Sequence, residues 1–314
     1  MKACCLAAFS TLLITPLAAS EPVMFCERPL TAQAVAENTW MVEGVKEELS
    51  TSNCGHIGNQ AFIATPSGVI LIDSGSSPRF GDALKTLIAQ YTAQPVRWVL
   101  NTHHHPDHFF GNAAFDEAQH LTLASTRALM ARDRDALIDN VARLTGSSVE
   151  HSSITLPSVI EAGEITLGNY PLTLFAMSGH SGGDLVIMDH ATGVLFLGDM
   201  GFYQRAAATA HTPSLQQWQE ELQALSTLNA STAVPGHGPS APPDTIIGQT
   251  THYLEWLDQH LSDVASEGLG ANHALAVEIP DMFSTMALNE YEFTRSVMQL
   301  YPRYEARLLW GAPH

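Results

Sequence analysis

Asn101-Thr102-His103-His104-His105-Pro106-Asp107-His108 follows directly on the apolar run Val96 to Leu100 and reads H-x-H-x-D-H. The run has the β-branched and aromatic content of a strand. In a chain that leaves a strand extended, residues two apart point the same way, so His103 and His105 can grip one ion together. Asp107 and His108, past the turn at Pro106, can face a second ion. A lone histidine is more often a surface or satisfied core residue. Three at this spacing beside an aspartate would leave many polar atoms to satisfy if they were buried without metal. His104, the intervening residue, is expected to face away and stabilise the loop.

Three later points complete a set: Gly179-His180-Ser181, Gly198-Asp199 after the run Val194 to Leu197, and Pro235-Gly236-His237-Gly238 after the run Thr232 to Val234. Each polar residue is expected just past a strand, where loops at one sheet edge converge and distant segments can build one pocket. The flanking glycines permit tight turns or close backbone approach.

Outward from these points the chain reads as β-meander, then β-α-β. Thr39 to Val42, Ala61 to Ala64 and Gly68 to Ile72 are short apolar runs between turn residues, and Phe80 to Tyr91 carries apolar positions at helical spacing. A helix is expected over Thr126 to Leu144, strands over Leu172 to Met177, Asp184 to Met188 and Val194 to Leu197, and a helix over Leu215 to Leu228. Helices fill the region after about residue 240, with Pro280 and Pro302 as breakers. Two β-then-α halves imply an α/β class and a four-layer α/β/β/α sandwich.

The first twenty residues read as a secretory signal peptide: Lys2, an apolar run from Ala3 to Pro16, then small residues at Leu17-Ala18-Ala19-Ser20. A membrane-spanning helix needs a longer uninterrupted run than one broken by Ser10, Thr11 and Thr15. Residues 21–314 are expected to form one domain, since no linker-like stretch or charge block divides them. The protein is therefore placed in the periplasm or secreted. Cys4 and Cys5 leave with the peptide, and Cys26 and Cys54 are expected to pair in an oxidising compartment. With 14 Lys+Arg against 32 Asp+Glu, the formal net charge of −18 argues against nucleic acid as a partner.

The order H-x-H-x-D-H, then His, then Asp, then His resembles the metallo-β-lactamase superfamily, over about Thr39 to Gly238. The resemblance implies that superfamily's fold, with one ion on His103, His105 and His180, the other on Asp107, His108 and His237, and Asp199 bridging. Asp107 and Asp199 are thus also the implied catalytic residues. Asp73, in Ile70-Leu71-Ile72-Asp73-Ser74-Gly75, matches the family's early Asp motif and is implied to support ligands rather than to be one. Asp199 stands where the best-known zinc β-lactamases carry Cys or Ser, and is similar instead to the thioester-hydrolysing, glyoxalase-II-like branch. His105, in place of Glu, separates the chain from the flavodiiron branch. Iron-dependent persulfide dioxygenases share many of these ligands, so iron or a mixed pair stays open beside two zinc ions. The stretch Phe293 to Glu305 is similar to exported metallohydrolases found with quinoprotein dehydrogenases and sulfur-oxidation systems, which implies such a partner. By pattern alone it is an amphipathic helix.

Neutral imidazole and carboxylate suit zinc, and a bound water whose pKa falls to roughly 7 can attack a carbonyl. The expected function is an exported dinuclear hydrolase whose bridging hydroxide attacks an ester, thioester or lactone-like small molecule. β-Lactam hydrolysis, iron-dependent oxygenation of a sulfur species and a non-catalytic periplasmic accessory role are the alternatives. A complete ligand set speaks against the last. Arg205 follows Asp199 closely on a segment expected to skirt the pocket, and is the candidate contact for a carboxylate-bearing substrate. His56 and His211 are expected to be surface or packing groups.

Overall fold

A computed structural model describes residues 21–146 and 154–310; the expected signal peptide lies outside the described residues. After a hairpin of β1 (Met24–Phe25) and β2 (Arg28–Pro29), the chain builds an antiparallel meander of β3 (Ala32–Ala36), β4 (Thr39–Val42), β5 (Gln60–Thr65) and β6 (Gly68–Ile72). Helix α1 (Pro78–Ile88) then crosses to β7 (Val96–Leu100), which runs parallel to β6. Ser77 caps this helix by accepting from Phe80 N at 3.1 Å, and Pro78 fits its first turn. A short α2 (Pro106–Phe109) and a 3-10 turn precede β8 (Gln119–Thr122), α3 (Ala124–Thr145) and β9 (Ser158–Val159). Strands β3 to β9 form one sheet in chain order.

The second sheet holds β10 (Gly163–Leu167), β11 (Tyr170–Met177), β12 (Asp184–Asp189), β13 (Val194–Phe202) and β14 (Thr232–His237), the last two parallel and joined by α4 (Leu215–Ser226). Helices α5 (Pro243–Ser266), α6 (Ala271–Ala274), α7 (Asp281–Ser284) and α8 (Asn289–Trp310) follow.

Alternation along the strands sends one set of apolar side chains between the sheets. Ile63, Ile70 and Leu100 meet Leu174, Ile187 and Phe196 there. The opposite face of the first sheet is covered by α1 through Phe80, Leu84 and Leu87. That of the second is covered by α4, α5 and α8 through Trp218, Leu257 and Val297. The result is the α/β/β/α sandwich, with the carboxyl ends of the parallel strands β6, β7, β13 and β14 opening toward one edge, the usual location of α/β sites.

Two local expectations need correction. Strand β13 does not stop at Leu197 but runs to Phe202, because the ladder to β14 is shifted at Gly198, whose φ of +51° a side chain would strain. Asp199 is therefore inside a strand, and His237 is likewise the last residue of β14. Pro302, expected to break a helix, lies within α8. Its missing N–H costs one helical bond, but Leu300, Tyr301 and Tyr304 are buried on either side and hold the helix against the body. Pro280 does end a segment, directly before α7.

Candidate metal centre

Asp73 leaves β6 with φ +58°, a conformation that costs a non-glycine residue energy and needs fixing by its surroundings. Its carboxylate supplies that fixing. One oxygen accepts from Thr102 N at 2.8 Å; the other accepts from Thr102 Oγ1 at 2.7 Å and from His108 Nδ1 at 2.8 Å. Asp73 thereby locks the first residues after β7 and fixes which nitrogen of His108 points inward.

The same device orients other rings. His237 donates from Nδ1 to Ile57 O at 2.8 Å, leaving Nε2 free, and His103 places Nδ1 3.0 Å from Thr102 Oγ1. Metal-binding histidines characteristically carry such a partner on the second nitrogen. The freed nitrogens converge on Asp199. Its Oδ1 is 3.2 Å from His108 Nε2, and its Oδ2 is 3.3 Å from His180 Nε2, 3.4 Å from His237 Nε2 and 3.6 Å from His103 Nε2. Asp107 Oδ2 lies 3.4 Å from His108 Nε2 and 3.5 Å from His237 Nε2.

Two compact donor groups result, His103, His105, His180 and Asp199 in one and Asp107, His108 and His237 in the other, each with its ligand atoms within 4.8 Å of one another. All seven residues named from the sequence are brought together. Gly236 permits it, since a Cβ there would run into Asp199 Oδ1.

Burial pushes His180 down to about 3 and holds His103 well below the ordinary histidine range, so both present neutral imidazole. Burial also opposes charge on His108, but Asp107, Asp199 and Asp73 together outweigh it and raise its affinity for a proton. Asp199 is buried too, yet His237, His108, His103 and His180 hold it well below the carboxylate range. His103 Nε2, His108 Nε2 and Asp199 Oδ1 are buried without a hydrogen-bond partner. Such orphaned acceptors cost free energy in a protein interior. A cluster of imidazole nitrogens and carboxylate oxygens with inward lone pairs is the donor set that zinc, or iron, takes up, so the residues fit divalent metal.

Several supporting residues were not legible beforehand. Asp184 accepts from His180 N at 3.1 Å and Ser181 N at 2.9 Å, and Glu221 accepts from Gly179 N at 2.8 Å, so two carboxylates hold the loop that presents His180. Asp184 had only the signal of a strand start. His211, expected to be a surface or packing group, is exposed but places Nδ1 2.6 Å from His105 Nε2. His104 turns away toward Asp133, 3.5 Å distant. His56 packs against Phe80, ring centroids 4.6 Å apart.

A cavity of about 410 Å³ opens over the centre, floored by His105, Asp107, Asp199 and His237. Arg205 is on its wall, 3% exposed, with Nη2 3.3 Å from Glu48 and 3.2 Å from Glu292. Burial lifts Glu292 to about 7 against the pull of Arg205 and Arg295. Cys26 and Cys54 form a disulfide with Cα atoms 5.9 Å apart. Among the described residues no helix is long and apolar enough to cross a membrane.

A family model described as the Metallo-beta-lactamase superfamily matches residues 55–237. No curated protein matches the chain. Among solved structures, a metallo-beta-lactamase from Pontibacter korlensis is similar at 21% identity and TM-score 0.58, covering 72% of this chain and 99% of its own. FIM-1 from Pseudomonas aeruginosa, solved in a mono-zinc form, is similar at 18% identity and TM-score 0.58, over 73% of this chain and 96% of its own. A metallo-beta-lactamase from Hirschia baltica shares 18% identity at TM-score 0.55, over 72% of this chain and 98% of its own.

Proposed function

The chain belongs to the metallo-beta-lactamase superfamily, and from that premise we propose that it is an exported dinuclear metal-dependent hydrolase acting on an ester, thioester or lactone-like carbonyl. The observation that carries the reading is Asp199, whose two carboxylate oxygens face both donor groups at 3.2 to 3.6 Å. His103, His105 and His180 would hold one ion, Asp107, His108 and His237 the other, with Asp199 shared. Zinc is the favoured metal; FIM-1, with the same fold, is a zinc protein, and iron or a mixed pair remains the competing filling. When bound, two such ions supply a water acidic enough to deprotonate near neutral pH and a positive field that polarises a carbonyl.

The chain's own residues do the rest. Asp73 and Ile57 fix the tautomers of His108 and His237, so their Nε2 lone pairs are already aimed before any ion arrives. Asp107 and Asp199 balance part of the ionic charge and orient the attacking water. The apolar wall formed by Leu49, Leu137 and Leu144 excludes bulk water from the scissile group. Arg205 keeps Nε and Nη1 without a hydrogen-bond partner, which supports its assignment toward an anionic substrate group.

Export to the periplasm or beyond the cell belongs to the same proposal and is supported by the Cys26–Cys54 bond, since disulfides persist in oxidising compartments. Association with a quinoprotein or sulfur-oxidation system is the proposed setting, supported by the sequence of Phe293 to Glu305. Elemental analysis of protein prepared without chelators, followed by rates on a thioester and a β-lactam, tests the assignment. Two metal equivalents and thioester turnover are expected. Less than one equivalent after reconstitution would end the dinuclear reading, and β-lactam turnover without thioesterase activity would change the substrate.

A further inference from the structure

Helix α8 lies outside residues 55–237, the span of the family match, yet Tyr291, Glu292 and Arg295 on it face the cavity above the metal centre. The segment after β13 is fastened beneath this helix. Ala206 N donates to Ala287 O at 3.0 Å, Thr209 Oγ1 bonds Ser296 Oγ at 2.6 Å and Arg303 Nη1 donates to Thr212 O at 2.7 Å. The C-terminal helix is thus a fixed wall of the pocket.

The cavity concentrates cations in a chain that has few. Only 14 of its residues are Lys or Arg, and three of them, Arg143, Arg205 and Arg295, line this one cavity. Two glutamates stand against them in a ladder: Glu48 meets Arg205 at 3.3 Å, Arg205 meets Glu292 at 3.2 Å, and the other oxygen of Glu292 meets Arg295 at 3.3 Å. Arg143 donates only to the neutral Asn140 Oδ1, at 2.7 Å, and has no carboxylate partner among the described residues. Among the described residues, three guanidiniums thus stand against two carboxylates on the walls, with Asp107 and Asp199 on the floor. Arg205, nine-tenths buried and more, lies over the Phe202 ring at 5.6 Å and has Nε and Nη1 without a hydrogen-bond partner. A buried guanidinium edge left unsatisfied is costly unless an acceptor completes it. The apolar side chains of Leu137 and Leu144 line the same cavity.

We propose that the cavity is built for a substrate whose reacting carbonyl is joined by a short apolar arm to a carboxylate, which Arg143 and Arg295 receive at the rim with the free edge of Arg205 behind them. The planar guanidinium forks suit a carboxylate's two oxygens. The acidic exterior does not oppose this, because such a field is screened within about 10 Å at ordinary salt while a contact inside the cavity is not. The inference rests on the hydrolase reading for the reaction but not for the binding.

The test uses full-length zinc-loaded protein and two probes that differ only in the remote group, S-acetyl-3-mercaptopropionate and its carboxamide. Wild type should favour the carboxylate by about tenfold or more in kcat/KM, the range of one or two charge-assisted hydrogen bonds. In the double variant Arg143→Gln/Arg295→Gln the preference should fall to about one. Arg143 is exposed and Arg295 partly so, and an unchanged urea midpoint verifies that the variant is folded. Calorimetric titration of glutarate, with equal metal content in both proteins, should show binding weakened about tenfold in the variant. An unchanged preference or unchanged glutarate affinity overturns the proposal. Absence of turnover on both thioesters would defeat the hydrolase reading alone, and the glutarate titration would still decide the subsite.

Discussion

His105 Nε2 lies 2.6 Å from His211 Nδ1, while His105 Nδ1 lies 3.0 Å from His180 Nε2. One ring of the candidate centre is thus held from its outer nitrogen by a histidine on the loop after β13, so that its inner nitrogen faces the other donors. Removing such an outer partner commonly costs 10- to 100-fold in metal affinity. His211→Ala should weaken the ion of His103, His105 and His180 by about tenfold in competition with a chelator, and His211→Gln, which retains an acceptor, should recover part of the loss. Equal affinity in wild type and His211→Ala would show that the contact does not orient His105.

The contrast between His211 and the other histidines explains what the sequence could reveal. His103, His105 and His108 lie within one extended segment leaving a strand, so their common direction follows from the local period of two. His180, Asp199 and His237 are marked by adjacent glycines and by apolar runs that end beside them. His211 has neither signal, and its partner is 106 residues away. The position of Asp199 was misjudged by a strand end for a related reason: the bulge at Gly198 arises from pairing with β14, which no window around Asp199 contains. The path of α8 through Pro302 depends in the same way on packing against distant helices. Arg205 is legible as a cation that follows Asp199 closely, but Glu48 and Glu292, which engage it, approach from 157 and 87 residues away.

The Cys26–Cys54 bond closes a loop with a sequence separation of 28, for which the chain-entropy estimate is roughly 3 to 4 kcal/mol. Cys54 stands three residues before Ile57, whose carbonyl orients His237. Cys26→Ser/Cys54→Ser should therefore lower the urea midpoint and also loosen the ion held by Asp107, His108 and His237. Denaturation and metal titration of the double variant measure both. Stability equal to that of the oxidised wild type would mean that the bond adds nothing to the folded state's advantage.

His56 is driven by burial, and secondarily by Arg28, to a pKa of about 4. The unfolded chain takes up a proton on this histidine near pH 6.5. Between those values the unfolded state binds more protons, so stability falls as pH drops from about 6.5 toward 4, by no more than about 3 kcal/mol for this group. His56→Gln removes the titration. Urea unfolding at pH 7 and pH 5 should show a smaller loss for the variant than for wild type, and parallel losses would exclude His56 as a source of acid sensitivity.

The bridging assignment makes the sharpest demand on Asp199, because its two oxygens must serve different donor groups at once. Oδ1 faces His108 at 3.2 Å and Oδ2 faces His180 at 3.3 Å, in a pocket where the carboxylate is 4% exposed. Asp199→Asn keeps the shape and one oxygen but replaces the other with an amide nitrogen that cannot ligate, and it removes a unit of negative charge. It should retain the ion of His103, His105 and His180 better than the second, and so bind about one equivalent where wild type binds two. Turnover should fall by about 10²- to 10³-fold or more, the scale of losing one preorganised electrostatic element. KM should change much less than kcat, since the lost interaction matters most as charge develops on the substrate oxygen. Elemental analysis and rates at saturating metal separate this from simple loss of metal. A fully active Asp199→Asn variant holding two equivalents would overturn the bridging assignment and leave each ion to its own three ligands, His103, His105 and His180 or Asp107, His108 and His237.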